Sequence, residues 1–96
     1  MSYSIQLTPE VEEKIAGWNL TKRLLDEIRF RLPDDLGENP AAKLYTVPND
    51  PDYMEYSFST GGGELDREHL FVFRVVYSRD RIALVILDCD HISVLP

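Results

Sequence analysis

Cysteine is almost missing from this chain. A single thiol, Cys89, cannot close an intrachain disulfide, and the small secreted domains that depend on such links carry several. Positive charge is also scarce: ten Lys and Arg stand against seventeen Asp and Glu, giving a formal charge of −7 and an isoelectric point near 4.6. Nucleic-acid binders hold phosphates with basic side chains that displace counterions, so on total charge RNA or DNA is a poor partner. No apolar run is long. The longest, Ile82 to Leu87, falls far below the roughly 20 residues that span a bilayer. The opening Met-Ser-Tyr-Ser lacks the basic stretch and apolar run of a signal peptide, so a soluble cytoplasmic protein with no membrane partner is expected. Repeats and low-complexity segments are absent, Gly61 to Gly63 coming nearest.

What is present is ordinary for a globule. With 44% hydrophobic and 28% charged residues, 96 residues suffice for one core and not for two, so residues 1–96 are expected to form a single domain. Its centre is the stretch from His69 to Cys89, whose two arms are rich in β-branched and aromatic residues. This predicts a β-hairpin. Pairing Ser78 with Arg81 across a two-residue turn puts Phe71, Phe73, Val75 and Tyr77 on one bulky face with Ile82, Leu84 and Ile86. The other face then carries Leu70, Val72, Val76, Ala83, Val85 and Leu87, with the guanidinium of Arg74 among them.

Before the hairpin, Tyr3, Ile5 and Leu7 alternate with polar residues as in a short strand with one buried face. Thr8, Pro9 and Glu10 read as a helix start. That helix is expected to run to about Ala16 and stop at Gly17, with Val11, Ile15 and Trp18 in the core. Leu20, Leu24, Ile28 and Leu32 mark a second helix that ends at Pro33. The cations on these helices, Lys14, Lys22, Arg23, Arg29 and Arg31, suit a phosphate-docking face. Acidic neighbours one turn away, as in Lys22 to Asp26, Arg23 to Glu27 and Glu27 to Arg31, favour a solvated face instead. Phe30 lies off the apolar stripe, and either loop packing or partner contact fits it. Asp34 to Pro40 reads as a connecting loop. Lys43 to Val47 suits a brief extended segment, and Tyr53 to Thr60 alternates as a third strand of the main sheet. Gly61 to Glu68 lacks the lysine and Ser/Thr of a phosphate cradle and is expected to be a flexible hairpin loop. The class is therefore α+β, with two helices segregated to one face of a mostly antiparallel sheet and the other face open.

In order and wording the chain resembles the RelE/ParE superfamily of small toxins from bacterial toxin–antitoxin pairs. YSIQLTPEVEEKI (Tyr3 to Ile15) is similar to the family's first strand and acidic, capped helix. KLYTVP (Lys43 to Pro48) resembles the segment before its second main strand, and FRVVY (Phe73 to Tyr77) with RIALVIL (Arg81 to Leu87) its arginine-bearing hairpin. The resemblance implies a β-α-α-β-β-β fold, an antitoxin-type protein partner and no cofactor. In family members that cut messenger RNA on the ribosome the open face is cationic. By position Arg74 matches the family's strand arginine. The neighbouring strand, however, offers Glu55 and Ser57 rather than lysines, and the chain has no tyrosine after its last strand.

Cleaving a phosphodiester through its 2′-hydroxyl needs a base, an acid and positive charge at the phosphorane. The candidates are Arg74 for charge, His91 for proton transfer and Glu55 as base. If the strand continues that far, its parity puts His91 on the open face with Arg74, about six residues away at roughly 3.3 Å each, too far to share one phosphate unless the strand end bends back. Arg74 equally fits a structural pairing with Glu55, which would cancel the charge an RNA site requires. His69, Cys89, Asp90 and His91 are metal-ligand types, but alternation sends adjacent side chains to opposite faces, which argues against zinc. Cys89 is expected as a small buried residue at a strand end. Three functions are thus carried forward: a toxin-family domain acting mainly by protein contact with a depleted catalytic face, a divergent ribosome-dependent endoribonuclease, and a gyrase inhibitor like the ParE branch.

Overall fold

Two threonines start the helices. Thr8 Oγ1 accepts from the Val11 amide at 3.3 Å and Thr21 Oγ1 from the Leu24 amide at 3.3 Å, each satisfying an amide that the first helical turn leaves without a partner. The computed structural model describes residues 2–48, 50–61 and 68–94. Its elements are β1 (Ser4–Leu7), α1 (Pro9–Gly17), α2 (Lys22–Leu36), a 3-10 turn at Pro40–Ala42, β2 (Tyr45–Val47), β3 (Asp50–Gly61), β4 (Glu68–Tyr77) and β5 (Ala83–Val94). The strands form one five-stranded sheet in the order β1-β5-β4-β3-β2, with β1 parallel to β5 and the other pairs antiparallel. The α+β class is as expected. Four strands follow the helices because Tyr45–Val47 joins the sheet at its edge.

Both helices supply the layer that buries one face of the sheet. Val11 and Ile15 of α1 and Ile28, Leu32 and Leu36 of α2 form one core cluster with Tyr56, Phe58, Phe71, Phe73, Val75, Leu84, Ile86 and Cys89. Phe71, Phe73, Leu84 and Ile86 are fully excluded from solvent. Burying side chains of this size stabilises the fold by about 1.5–3 kcal/mol each before entropy is charged against it.

The second helix does not stop at Pro33. It runs one turn further, to Leu36. Proline lacks the amide that would reach the carbonyl of Arg29, a cost of about 3 kcal/mol in a helix interior. Against this, the extra turn buries Leu36 completely and lets Asp35 accept a hydrogen bond from the buried Tyr56 hydroxyl, gains of comparable size. Burial, and secondarily that bond to Asp35, pushes the Tyr56 phenol well above its usual range. Gly17 ends α1, yet the chain turns at Asn19, which takes the left-handed conformation with φ 53° and is a residue type that tolerates it.

The β4–β5 turn is wider than the two residues expected. The Ser78 amide donates to the Ala83 carbonyl at 2.9 Å and the Arg81 amide to the Ser78 carbonyl at 3.0 Å, leaving residues 79–82 in the loop. A two-residue turn of the favoured kind needs positive φ at both central positions, here Arg79 and Asp80. The observed loop needs it only at Arg81, φ 61°. Asp80 holds that loop by accepting from Ser78 Oγ at 2.5 Å and the Ile82 amide at 3.2 Å. Ile82 consequently leaves the core for the loop and is 60% exposed. The hairpin loop expected over Gly61 to Glu68 falls, for residues 62–67, outside the described residues; Gly61 stands opposite Glu68 at its base.

One further irregularity decides which residues share a face. Val75 pairs with Ile86 but Arg74 pairs with Asp88, so β5 carries one extra residue, Leu87, at a β-bulge. Beyond it the alternation of β5 is inverted. Cys89 and His91 stand opposite Phe73 and Phe71 on the helix-covered side, while Asp88 and Asp90 stand opposite Arg74 and Val72 on the open side.

Candidate functional site

The open face is built on three strands whose register lines up one row of charges. Glu55 of β3 faces Arg74 of β4, which faces Asp88 of β5, and the next row runs Ser57, Val72, Asp90. Phe73 and Val75 on either side of Arg74 are fully buried on the far face, which obliges the guanidinium to point outward. It lies over the Tyr53 ring, 5.4 Å from the centroid, a cation–π contact worth about 0.5–1 kcal/mol at an exposed site. Glu55 is thus the cross-strand neighbour of Arg74 as expected. Among the described residues, however, Arg74 makes no ion pair.

Asp88 and Asp90 are engaged from the side. Lys14 of α1 reaches past the end of β1, its Nζ lying 3.0 Å from Asp88 Oδ1 and 3.4 Å from Asp90 Oδ1. The hydrogen bond from Lys14, aided by the Cys89 amide at 2.9 Å and the field of Arg74, holds the Asp88 carboxyl below its usual range. The same contact with Asp88 raises the Lys14 ammonium. The open face therefore carries Arg74 and the tip of Lys14 against Glu55, Asp88 and Asp90. The remaining helix cations behave as solvated pairs, with Lys22 and Arg29 each 4.0 Å from Asp26 and Arg31 3.1 Å from Glu27. Around the charges lie apolar side chains, Val72 and Val76 half-buried, Leu87 and Ile92 exposed, and the Tyr45 hydroxyl meets Ser57 Oγ at 3.0 Å.

His91 is not on this face. The bulge places it under α1, where its ring stacks on Phe71 at 4.9 Å between centroids and meets the Trp18 ring at 5.2 Å with the planes tilted by 42°. Its Nε2 lies 2.9 Å from Nδ1 of His69. Burial first, and the neighbouring His69 second, lower the His91 imidazole from its ordinary value, so it is neutral at pH 7. The expected sharing of one face by His91 and Arg74 is thus overturned, since the sheet itself lies between them. Of the residues considered for phosphodiester chemistry, the fold brings together Arg74 and Glu55 and sets His91 apart. Cys89 is buried as expected, though inside β5 rather than at its end, and its thiol is pushed up to about 11 by burial. Phe30 is 64% exposed and stands outside the core cluster.

Two features escaped the reading of the sequence. The Lys14 bridge joins positions 74 and 76 residues apart, a separation for which local charge spacing gives no signal. The apolar cleft between the helices and β1, about 500 Å³ and lined by Ile5, Leu7, Ile15, Leu25, Ile28 and Leu32 with Glu12 and Arg29 as its charged residues, arises because α1 and α2 cover different strands. No group of three or more metal-ligand side chains converges among the described residues, and no helix is long and apolar enough to cross a membrane. Comparison with protein-family models, with curated proteins and with solved structures finds no match to this chain.

Proposed function

We propose that this protein is a divergent RelE/ParE-like toxin-family domain that acts by protein–protein contact through its uncovered sheet face, held by an antitoxin-type partner or directed at a protein target. One observation carries this reading: the face bears Arg74 within a row that also holds Glu55 and Asp88, while His91 lies on the other side of the sheet. A phosphate approaching Arg74 meets carboxylates to either side and, among the described residues, no histidine that could move a proton. A protein surface offering apolar side chains and basic groups, by contrast, complements Leu87 and Ile92 together with Glu55 and Asp90.

Two experiments test the proposal. In the first, the chain is expressed in a bacterial host with and without Arg74→Ala, and translated messages are mapped. Intact messages in both strains are expected; cleavage abolished by Arg74→Ala would establish the endoribonuclease reading instead. In the second, the tagged chain at native expression level is recovered from extract of its own cell. A retained protein partner that is lost on Leu87→Arg, a change at an exposed position of the open face, is expected. Recovery of the chain alone sinks the proposal.

A further inference from the structure

The helix layer carries a hole and, beside it, an unhoused ring. α1 packs chiefly on β5 and α2 against β1, so the two helices splay and leave between them an apolar cleft of about 500 Å³. Three of its side chains, Ile5, Leu7 and Leu25, are only half-buried. On the outer side of α2 stands Phe30, 64% exposed, the highest value for a large apolar side chain among the described residues. Helical geometry fixes how the two features lie. Leu25 and Leu32 mark the flank of α2 that lines the cleft, and Phe30 lies about 140° around the helix from Leu25 at 3.6 residues per turn. Arg29 and Pro33, which also line the cleft, occupy the arc between. Knob and hole therefore share one surface.

We propose that this chain pairs with a second copy of itself through α2, Phe30 of each copy entering the helix-layer cleft of the other. A surface that holds a knob and its hole side by side is self-complementary, the requirement for a closed two-fold contact. A two-fold axis parallel to α2 exchanges one flank of the helix for the other at the same height. It sets the Phe30 ring of one copy against the gap between Leu25 and Leu32 of the other, residues that bracket position 30 along the helix. The same axis turns Asp26 of each copy toward Arg29 of the other. Within one chain these two stand 4.0 Å apart and mostly exposed, a loose pair whose exchange for an intermolecular one costs little.

Charge selects a second copy as the occupant. The chain carries −7 overall, so over most of its surface two copies repel one another. Residues 22–34 of α2 are the exception, with four basic and three acidic side chains in alternating blocks of sign. Along this strip two copies approach without net repulsion, and each block of one sign has the other sign within a turn to meet. The rim of the cleft is balanced in the same way, Glu12 on α1 standing with Arg29 on α2. An aromatic ring seated in an apolar pocket and ringed by matched charges is the usual anatomy of a contact's energetic centre. This surface lies on the helix layer, away from Arg74, so a second copy here and a partner on the open sheet face do not compete.

The test is the mass of the full chain in solution, followed by sedimentation from about 1 μM to about 1 mM, a span that covers weak and moderately tight pairing. A reversible rise from the 11.1 kDa chain to twice that mass, with no larger species, is expected. Phe30→Ser removes both knobs at an exposed position, and should weaken pairing on the order of 100-fold while circular dichroism stays unchanged. Ala16→Arg, at an exposed position of α1 that lines the cleft, obstructs both holes and should weaken it as well. A mixture of the two variants restores one knob and one open cleft, so its average mass should exceed that of either variant alone. A chain that stays monomeric throughout, a dimer indifferent to both substitutions, or a mixture no heavier than its components overturns the proposal.

Discussion

The face assignment beyond the bulge can be read chemically through Cys89. If β5 alternated without interruption, Cys89 would stand with Leu87 on the open face and react like an ordinary thiol. With the extra residue at Leu87 it faces the core, 1% exposed. Burial raises its ionisation to about 11. At pH 8 such a thiol is about 0.1% thiolate, whereas one in the usual range of roughly 8.5 to 9 is about 10–25% thiolate. Ionisation alone therefore slows attack on a disulfide reagent on the order of 100-fold, and the need for the sheet to open before the reagent can enter slows it further. The assay is a thiol-labelling time course with an aromatic disulfide, in native buffer and in urea. A native rate at least 100-fold below the unfolded rate is expected. If the native rate falls within tenfold of the unfolded one, Cys89 is on the solvent side, His91 joins Arg74, and the argument against RNA cleavage loses its footing.

Three more outcomes follow from the packing and the charges. Leu36→Ala should cost about 2–5 kcal/mol in urea unfolding because Leu36 is wholly buried, while Pro33→Ala should raise stability by about 1–2 kcal/mol, restoring an amide to the α2 interior; equal and small effects would mean that the last turn of α2 is not packed. His91 ionises below its ordinary 6.5 when folded, so the unfolded chain binds the extra proton: the stability at stake is fully present above about pH 6.5 and declines as pH falls through that value toward the folded one. The urea midpoint should drop between pH 7.5 and 5, less steeply in His91→Phe, and an unchanged slope in that variant would refute the assignment. Lys14→Gln should lose only about 0.2–1 kcal/mol, since its bridges to Asp88 and Asp90 are 43% or more exposed, and the difference should shrink in about 1 M salt.

Much of the architecture was readable because it rests on local rules. Thr8 and Thr21 announce helix starts by side-chain chemistry, and Val11, Ile15, Leu24, Ile28 and Leu32 announce buried stripes by spacing. Phe71, Phe73, Val75, Leu84 and Ile86 fall on one face by simple alternation. Errors arose where a distant contact overruled a local preference: the burial of Leu36 carried α2 through Pro33, and the loop held by Asp80 expelled Ile82. The bulge did leave a trace. Positions 83 to 87 are all apolar, but unbroken alternation from Leu84 and Ile86 would carry Asp88 and Asp90 onto the bulky covered face, a conflict that points to a slip of phase near Leu87. His91 was misplaced for that reason alone. The pairing of Arg74 with Glu55 was legible as register, whereas the stacking of Arg74 on Tyr53 was not, because side-chain direction across strands depends on packing that no spacing rule encodes.

The shortness of β1 has its own outcome for the chain's behaviour in company. It pairs only Ala83 to Ile86, so from Leu87 onward, among the described residues, the outer rim of β5 holds amides and carbonyls turned toward no strand of its own sheet, a template onto which a foreign chain could zip. At that margin Lys14 leans across Asp88 and Asp90, and an intruding strand would have to dislodge a clasped set of charges before forming its first hydrogen bond. A clasp that contributes little to holding the fold together thus stands where edge-on pairing would have to begin.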